Sequence, residues 1–160
     1  MADFFSTNYS RPRMMVPDGR AVVIQDGVRV AAVATNDTFS WYVPGGLLLT
    51  DLALKVPVAI DSGTASVFTM GYLKKNATDT MTAVSSYFIP SANTALRSSA
   101  VGVIQFAFAP IKFEIDTILR LTLTTGGTLA GGGSALIYLT ATGNMIGTEG
   151  SSLNGLGQVG

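Results

Sequence analysis

Apolar and polar residues alternate one by one along several stretches of this 160-residue chain. The clearest case is Leu119, Leu121 and Leu123, which are separated by Arg120 and Thr122. A repeat of two puts successive side chains on opposite faces of an extended strand, whereas an amphipathic helix needs a repeat of about 3.6 residues. This segment is therefore predicted to be a strand with one face on a core.

The longest predicted strand covers residues 47–60. Asp51 and Lys55 would lie on its polar face, and Pro57 indicates an edge or a bulge partway along. The residues predicted for its apolar face are Leu48, Leu52, Leu54, Val56, Val58 and Ile60.

Glycine-containing turns separate the remaining predicted strands. Asp26-Gly27 lies between two β-branched runs, residues 20–25 and 28–33, and this dipeptide favours a two-residue hairpin turn. A short aromatic strand over residues 39–43 would end at Pro44-Gly45-Gly46, with Trp41 in the core.

The second half of the chain has a less even pattern. After a strand over residues 65–73, a polar connection (74–80) leads into a mixed stretch to residue 100, in which residues 91–99 would form one helical turn or none. Strands follow over 101–109, 111–116 and 118–125, and a glycine-rich bend precedes a last strand over 135–141. Eight or nine short strands without a long helix predict an all-β sandwich or barrel.

Three segments follow from this pattern. Residues 1–19 are predicted to be an extended N-terminal arm, because their aromatic and apolar residues have no strand or helix period. Residues 20–142 would form the β-sandwich body. Residues 143–160 are predicted to be a flexible glycine-rich C-terminal tail.

Composition argues against catalysis. The chain has no histidine and no cysteine, so imidazole bases, thiolate nucleophiles and the usual zinc ligands are absent, and no metal or cofactor is expected. A hydrolase that uses carboxylates alone stays open as an alternative. Asp51 and Asp61 do not suggest one, since ten residues of extended chain would separate them by roughly 30 Å.

The charge balance points to protein partners. Ten basic residues match ten acidic ones, so no basic field favours nucleic acid. Charged residues are only 12% of the chain, where roughly 25% is typical, yet no apolar run is long enough for a membrane span. We therefore expect apolar surface to face other subunits, as a homodimer by preference or a trimer. The first residues do not resemble a signal peptide, so folding in a cytoplasm is expected.

Other motifs have ordinary structural explanations. The glycines of residues 126–133 precede a strand instead of the helix that a phosphate-binding loop requires. Lys74-Lys75 is a lone basic pair, more typical of a loop or a subunit contact. The aromatic residues are expected in core and interfaces, with a carbohydrate groove as the alternative; they are Tyr9, Trp41, Tyr42, Tyr72, Tyr87 and Tyr138.

Two segments carry a family resemblance. Residues 52–72, which include Ile60-Asp61-Ser62-Gly63 and Gly71-Tyr72, resemble the central strands of the capsid cement, or decoration, proteins of tailed bacteriophages. Residues 118–127 and 131–139 resemble the closing hairpin of those proteins, and the likeness extends over residues 20–142.

The resemblance implies a jelly-roll-like sandwich on the outer surface of a phage head, where it would bridge major capsid subunits. The candidate contacts to the capsid or to neighbouring subunits are the anchors of the arm, namely Phe4, Phe5, Tyr9, Arg11, Arg13, Met14 and Met15. A carbohydrate- or receptor-binding module of a phage tail or spike is the alternative function.

Overall fold

The structure, a computed structural model, describes residues 3–5, 21–30, 36–56, 67–93, 102–125 and 135–146. All regular elements in these ranges are β-strands, and none is a helix able to cross a bilayer. The strands are β1 (Asp3–Phe5), β2 (Ala21–Val30), β3 (Thr38–Val43), β4 (Leu47–Val56), β5 (Val67–Lys74), β6 (Val84–Asn93), β7 (Gly102–Gln105), β8 (Ile111–Phe113), β9 (Thr117–Thr125) and β10 (Ala135–Met145).

The strands form two five-stranded sheets. Sheet A has the order β1-β3-β9-β5-β6, and sheet B has the order β2-β10-β4-β7, with β8 also paired to β4. All pairs are antiparallel except β1 with β3. The chain passes repeatedly from one sheet to the other, as in a jelly roll. The predicted all-β sandwich is confirmed, with ten strands in the described ranges instead of about eight.

The core lies between the inner faces of the sheets. Leu119, Leu121 and Leu123 are fully buried, which confirms the alternation read from the sequence. Trp41 is also fully buried, as predicted. The largest fully buried side chains are Trp41, Phe39, Phe68, Phe113, Ile24, Leu47, Leu49, Leu52, Leu54, Met70 and Ile89.

The hairpin predicted at Asp26-Gly27 does not form. Both residues lie inside β2, which pairs with β10 over ten consecutive residues. This long ladder outweighs the local preference of the dipeptide for a turn. Gly27 pairs with Tyr138, and its N–H donates a hydrogen bond to the Asp26 carboxylate at 2.8 Å. An inward-facing carboxylate on an edge strand is also a known protection against edge-to-edge pairing.

A bulge in β4 corrects the predicted register of that strand. Thr50 is an extra residue, because Thr142 pairs with Asp51 whereas Gly143 pairs with Leu49. The buried face consequently switches from Leu47 and Leu49 to Leu52 and Leu54. The prediction that Leu48 lies on the core face is therefore wrong. Lys55 is exposed, as predicted. Pro57, Val58 and Ile60 lie outside the described residues.

Strand β6 was missed by the sequence pattern. Its first part, Val84 to Ser86, contains two serines in a row, and its last residues fall within 91–99, where one helical turn or none was predicted. Met70 pairs with Ile89 and Tyr72 with Val84, so a step of two residues along β5 corresponds to a step of five along β6. Such irregular pairing removes the strict alternation by which a strand is recognised.

Both ends of the predicted body also differ from expectation. Strand β10 continues to Met145, so strand structure extends into the segment predicted as tail. Residues 3–5, placed in the arm by the sequence, form β1 and pair with residues 38–40 of β3. The turn at 61–64, the glycine-rich bend at 126–133 and residues 147–160 lie outside the described ranges.

Candidate interaction surfaces

A groove that is partly open to solvent crosses the outer face of sheet A. Arg120 lies in it, and we call it the Arg120 groove. The lining residues come from four neighbouring strands and from the chain just before β6, and they are Thr38, Gly71, Tyr72, Leu73, Ala83, Ser85, Arg120 and Thr122. Most of the lining surface is apolar, and the guanidinium of Arg120 is the one charged group in it.

The strand registers explain how the groove is built. Arg120 on β9 pairs with Ser40 on one side and with Gly71 on the other. A Cβ on Gly71 would overlap the carbonyl of Val84, so β6 crosses close above this position. The backbone of β6 thereby forms a wall beside the floor that β9 and β5 provide. A glycine is required here by space, since β6 leaves no room for a side chain.

Arg120 has unused hydrogen-bonding capacity. Its Nε donates to Ser40 Oγ at 3.3 Å, and it makes no ion pair with any residue in the described ranges. The side chain is half-buried. A guanidinium is always charged and its planar fork fits a carboxylate with two parallel hydrogen bonds. The groove is thus suited to an acidic side chain.

One end of the sandwich is held by a cluster of Tyr42, Lys75 and Asp116, which we call the turn anchor. Asp116 Oδ1 accepts a hydrogen bond from the Gly45 N–H at 3.1 Å, and Asp116 Oδ2 lies 3.9 Å from Lys75 Nζ. The same ammonium lies 4.0 Å from the centre of the Tyr42 ring. The cluster joins three connections between strands, so its role is structural.

The environment of Tyr42 raises the pKa of its hydroxyl. Burial is the largest cause, followed by a hydrogen bond to Asp116 and by repulsion from the negative charge of that carboxylate. Each of these disfavours the phenolate. Tyr42 is therefore a neutral hydrogen-bonding group in the anchor and not a candidate acid or base near neutral pH.

The outer face of sheet B is a second surface, which we call the sheet B face. On this face Tyr138 pairs with Lys55, and Lys55 pairs with Val103 on its other side. Tyr138 and Val103 are 41% and 69% exposed, and Val23 on β2 is 51% exposed. Large apolar groups exposed on one sheet face are typical of interaction surfaces.

The structure places the predicted arm contacts only in part. Phe4 and Phe5 lie on β1 at the edge of sheet A, opposite Phe39 and Ser40 of β3. The remaining candidates lie outside the described residues, and they are Tyr9, Arg11, Arg13, Met14 and Met15.

The aromatic residues that the structure describes do not assemble into one carbohydrate groove. Tyr72 and Tyr87 contact each other edge-to-face at 5.4 Å and join a cluster with Phe88, Phe108 and Phe113. Tyr138 lies on the opposite sheet, and Trp41 is in the core. The prediction that aromatic residues pack in the core is confirmed for Trp41 and for the cluster that contains Tyr72 and Tyr87.

The acidic residues show no catalytic grouping in the described ranges. Asp51 accepts bonds from the Leu52 N–H and the Gln105 amide, and Glu114 pairs with Lys112 at 2.7 Å. No cluster of three or more potential metal ligands occurs among these residues. Lys74, considered at first as part of a basic pair, donates to the Ala77 and Asp79 carbonyls and stabilises its own loop.

The sequence did not reveal the Arg120 groove. Arg120 is simply a polar member of an alternating strand, and its neighbours come from positions about 80 and 50 residues away, Ser40 and Gly71. Only strand order brings them together. A charged residue in the middle of a central strand is the one signal that draws attention to it.

Comparison of the sequence gives no match, either to a protein-family model or to a curated protein. Comparison of the structure does give matches to solved proteins. A chain in the solved capsid of Ralstonia phage GP4 matches with a TM-score of 0.60 and 16% identity, over 92% of this chain and 100% of the other. This is a fold found in phage capsids. A chain of the capsid asymmetric unit of cyanophage Pam1 matches with a TM-score of 0.58 and 16% identity, over 87% and 97% of the two chains.

Proposed function

We propose that this chain is a structural, non-catalytic component of a phage virion, a cement or decoration protein on the outer surface of the head that bridges major capsid subunits. The observation that carries the proposal is the structural match to a capsid chain over that chain's entire length. A match over nearly all of both chains makes the whole sandwich the shared unit, not an inserted module. The resemblance of residues 52–72, 118–127 and 131–139 to cement proteins supports the same function.

The Arg120 groove is the proposed contact for an acidic side chain of a neighbouring capsid subunit. Its guanidinium has only the Ser40 hydroxyl as a partner in the described ranges, so a carboxylate from another chain would complete its hydrogen bonding. The arm residues Tyr9, Arg11 and Arg13, with Met14 and Met15, are proposed as further anchors. Rim ion pairs contribute about 1 kcal/mol or less, so the aromatic and methionine side chains should dominate the affinity of the arm.

A non-catalytic role agrees with the chemistry of the acids. The Asp51, Glu114 and Asp116 carboxylates all have structural partners. Assembly would follow folding in the host cytoplasm, because a protein that adds to the outside of a head needs no export. Neither nucleic acid nor a membrane is a proposed partner.

The proposal is tested by adding the purified chain to phage heads stripped of their decoration. Co-sedimentation at a saturating copy number, with an increase in the melting temperature of the heads, is the expected result. Mass spectrometry of intact virions and of DNA-free precursors should find the protein in stoichiometric amount. No binding to heads, together with binding to bacterial surface glycans, would instead favour the receptor-binding alternative.

A further inference from the structure

The sheet B face is unusually poor in charge at its centre. Across the middle of the sheet the outward residues of neighbouring strands are Gln25, Thr140, Ala53 and Gln105, which pair in this order. None of the four side chains is charged, and the two in the middle of the row, Thr140 and Ala53, are small. Flat sheet faces with exposed apolar groups pack well against another sheet at about 10 Å.

The two charges nearest this row lie on one strand and have opposite sign. Asp51 and Lys55 flank Ala53 on β4, about 13 Å apart along the strand. The Leu52 N–H and the Gln105 amide both donate hydrogen bonds to Asp51 Oδ1. The other oxygen, Oδ2, accepts none from the described residues. Lys55 is exposed and forms no ion pair in the same ranges. Each charge therefore has capacity for a partner on another chain.

This arrangement is complementary to itself. A two-fold axis can pass through Ala53 in the plane of the interface, perpendicular to the strands. Rotation about this axis reverses the direction of β4. It brings Asp51 of one copy opposite Lys55 of the other, and it does so twice. The same axis places exposed Val23 opposite Gly27, where no side chain stands, and Tyr138 opposite Thr142. An isologous interface requires this kind of self-complementary patch.

We propose that the sheet B face binds a second copy of this chain around a two-fold axis near Ala53, with two reciprocal Asp51–Lys55 pairs. The inference concerns the isolated protein and does not rest on the proposed function. It leaves the Arg120 groove, on the opposite face of the sandwich, free for another partner.

The test is a charge exchange in the full-length chain, followed by sedimentation equilibrium at micromolar concentration. The unaltered chain should be a dimer. Lys55→Glu places an acid opposite Asp51 in both pairs, and Asp51→Lys places a base opposite Lys55 in both pairs. Each variant should therefore raise the dimer dissociation constant by about tenfold or more. An equimolar mixture of the two variants restores both attractive pairs and should recover the mass of a dimer, as should the double variant.

Glu114→Lys is the matched control, because it changes the net charge as Asp51→Lys does but lies in the turn after β8. It should leave the dissociation constant unchanged. Melting curves of every variant show whether the sandwich is intact. A monomeric unaltered chain, single variants that still dimerise, or a folded mixture that stays monomeric would each overturn the proposal.

Discussion

Gly71 lies directly below the backbone of Val84, so close that a β-carbon at residue 71 would overlap the Val84 carbonyl oxygen. Strand β6 therefore crosses over β5 at the one position where β5 has no side chain. Ser85, which follows Val84, lines the Arg120 groove. The close approach of two strands and the shape of the groove thus have the same cause.

Replacing Gly71 by alanine should lower the free energy of unfolding by about 1–3 kcal/mol, because β6 has to move away from β5. Urea denaturation followed by tryptophan fluorescence measures it through buried Trp41. Thr122→Ala, in the same groove, is the control and should change stability little. An unchanged denaturation midpoint for Gly71→Ala would show that β6 does not approach β5 as described.

Leu54→Asp and Leu121→Asp should unfold the sandwich, since both leucines are fully buried. A buried and unpaired carboxylate costs several kcal/mol, which is comparable with the stability of a whole domain. Lys55→Ala and Thr122→Ala, one residue along each strand, should remain folded. Circular dichroism and solubility compare the four variants, and folded aspartate variants would contradict the register.

Stability should decline at alkaline pH in part through Tyr42. Its pKa is raised above the usual tyrosine value of 10.0, chiefly by burial and then by Asp116, so the folded state holds this proton more tightly than the unfolded chain. The stabilisation is complete below about pH 10 and is lost as the pH rises further. Tyr42→Phe should flatten the decline above about pH 10 in urea titrations. An identical decline in both proteins would exclude Tyr42 as a source.

Arg120→Gln should weaken binding to stripped heads by about tenfold while the isolated protein melts nearly as before. The reason is that the Arg120 side chain hydrogen-bonds only to Ser40 among the described residues, so the guanidinium is available to another chain. Arg120→Lys keeps the charge but loses the two-pronged fork, so an intermediate affinity is expected. Co-sedimentation at two salt concentrations measures it. Full binding by Arg120→Gln would move the contact away from the groove.

The arm can be tested separately from strand β1. Alanine at Tyr9, Met14 and Met15 together should reduce binding to heads and leave melting unchanged. Deletion of residues 2–16 should reduce both, because it also removes the pairing of β1 with β3. If the triple variant binds as tightly as the unaltered chain, the arm is not an attachment element.

Period-two alternation was sufficient to predict the all-β class and the buried face of β9. Leu119, Leu121 and Leu123 alternate with Arg120, Thr122 and Thr124, so this one strand shows by itself which of its faces is buried. The turn at Gly45-Gly46 was equally readable, since Gly46 has a positive φ of 87° that glycine adopts without strain. These features depend on interactions between residues that are close in sequence.

Tertiary structure decided the features that depend on distant strands. Asp26-Gly27 is a good turn sequence, but ten pairs with β10 keep it extended. The bulge at Thr50 switches the buried face of β4 because Gly143 admits the Leu48 carbonyl, a contact across more than ninety residues. The Arg120 groove and the sheet B face likewise arise from strand order. Sequence determines the local preference of each strand, whereas pairing and packing energies, summed over many residues, select its neighbours.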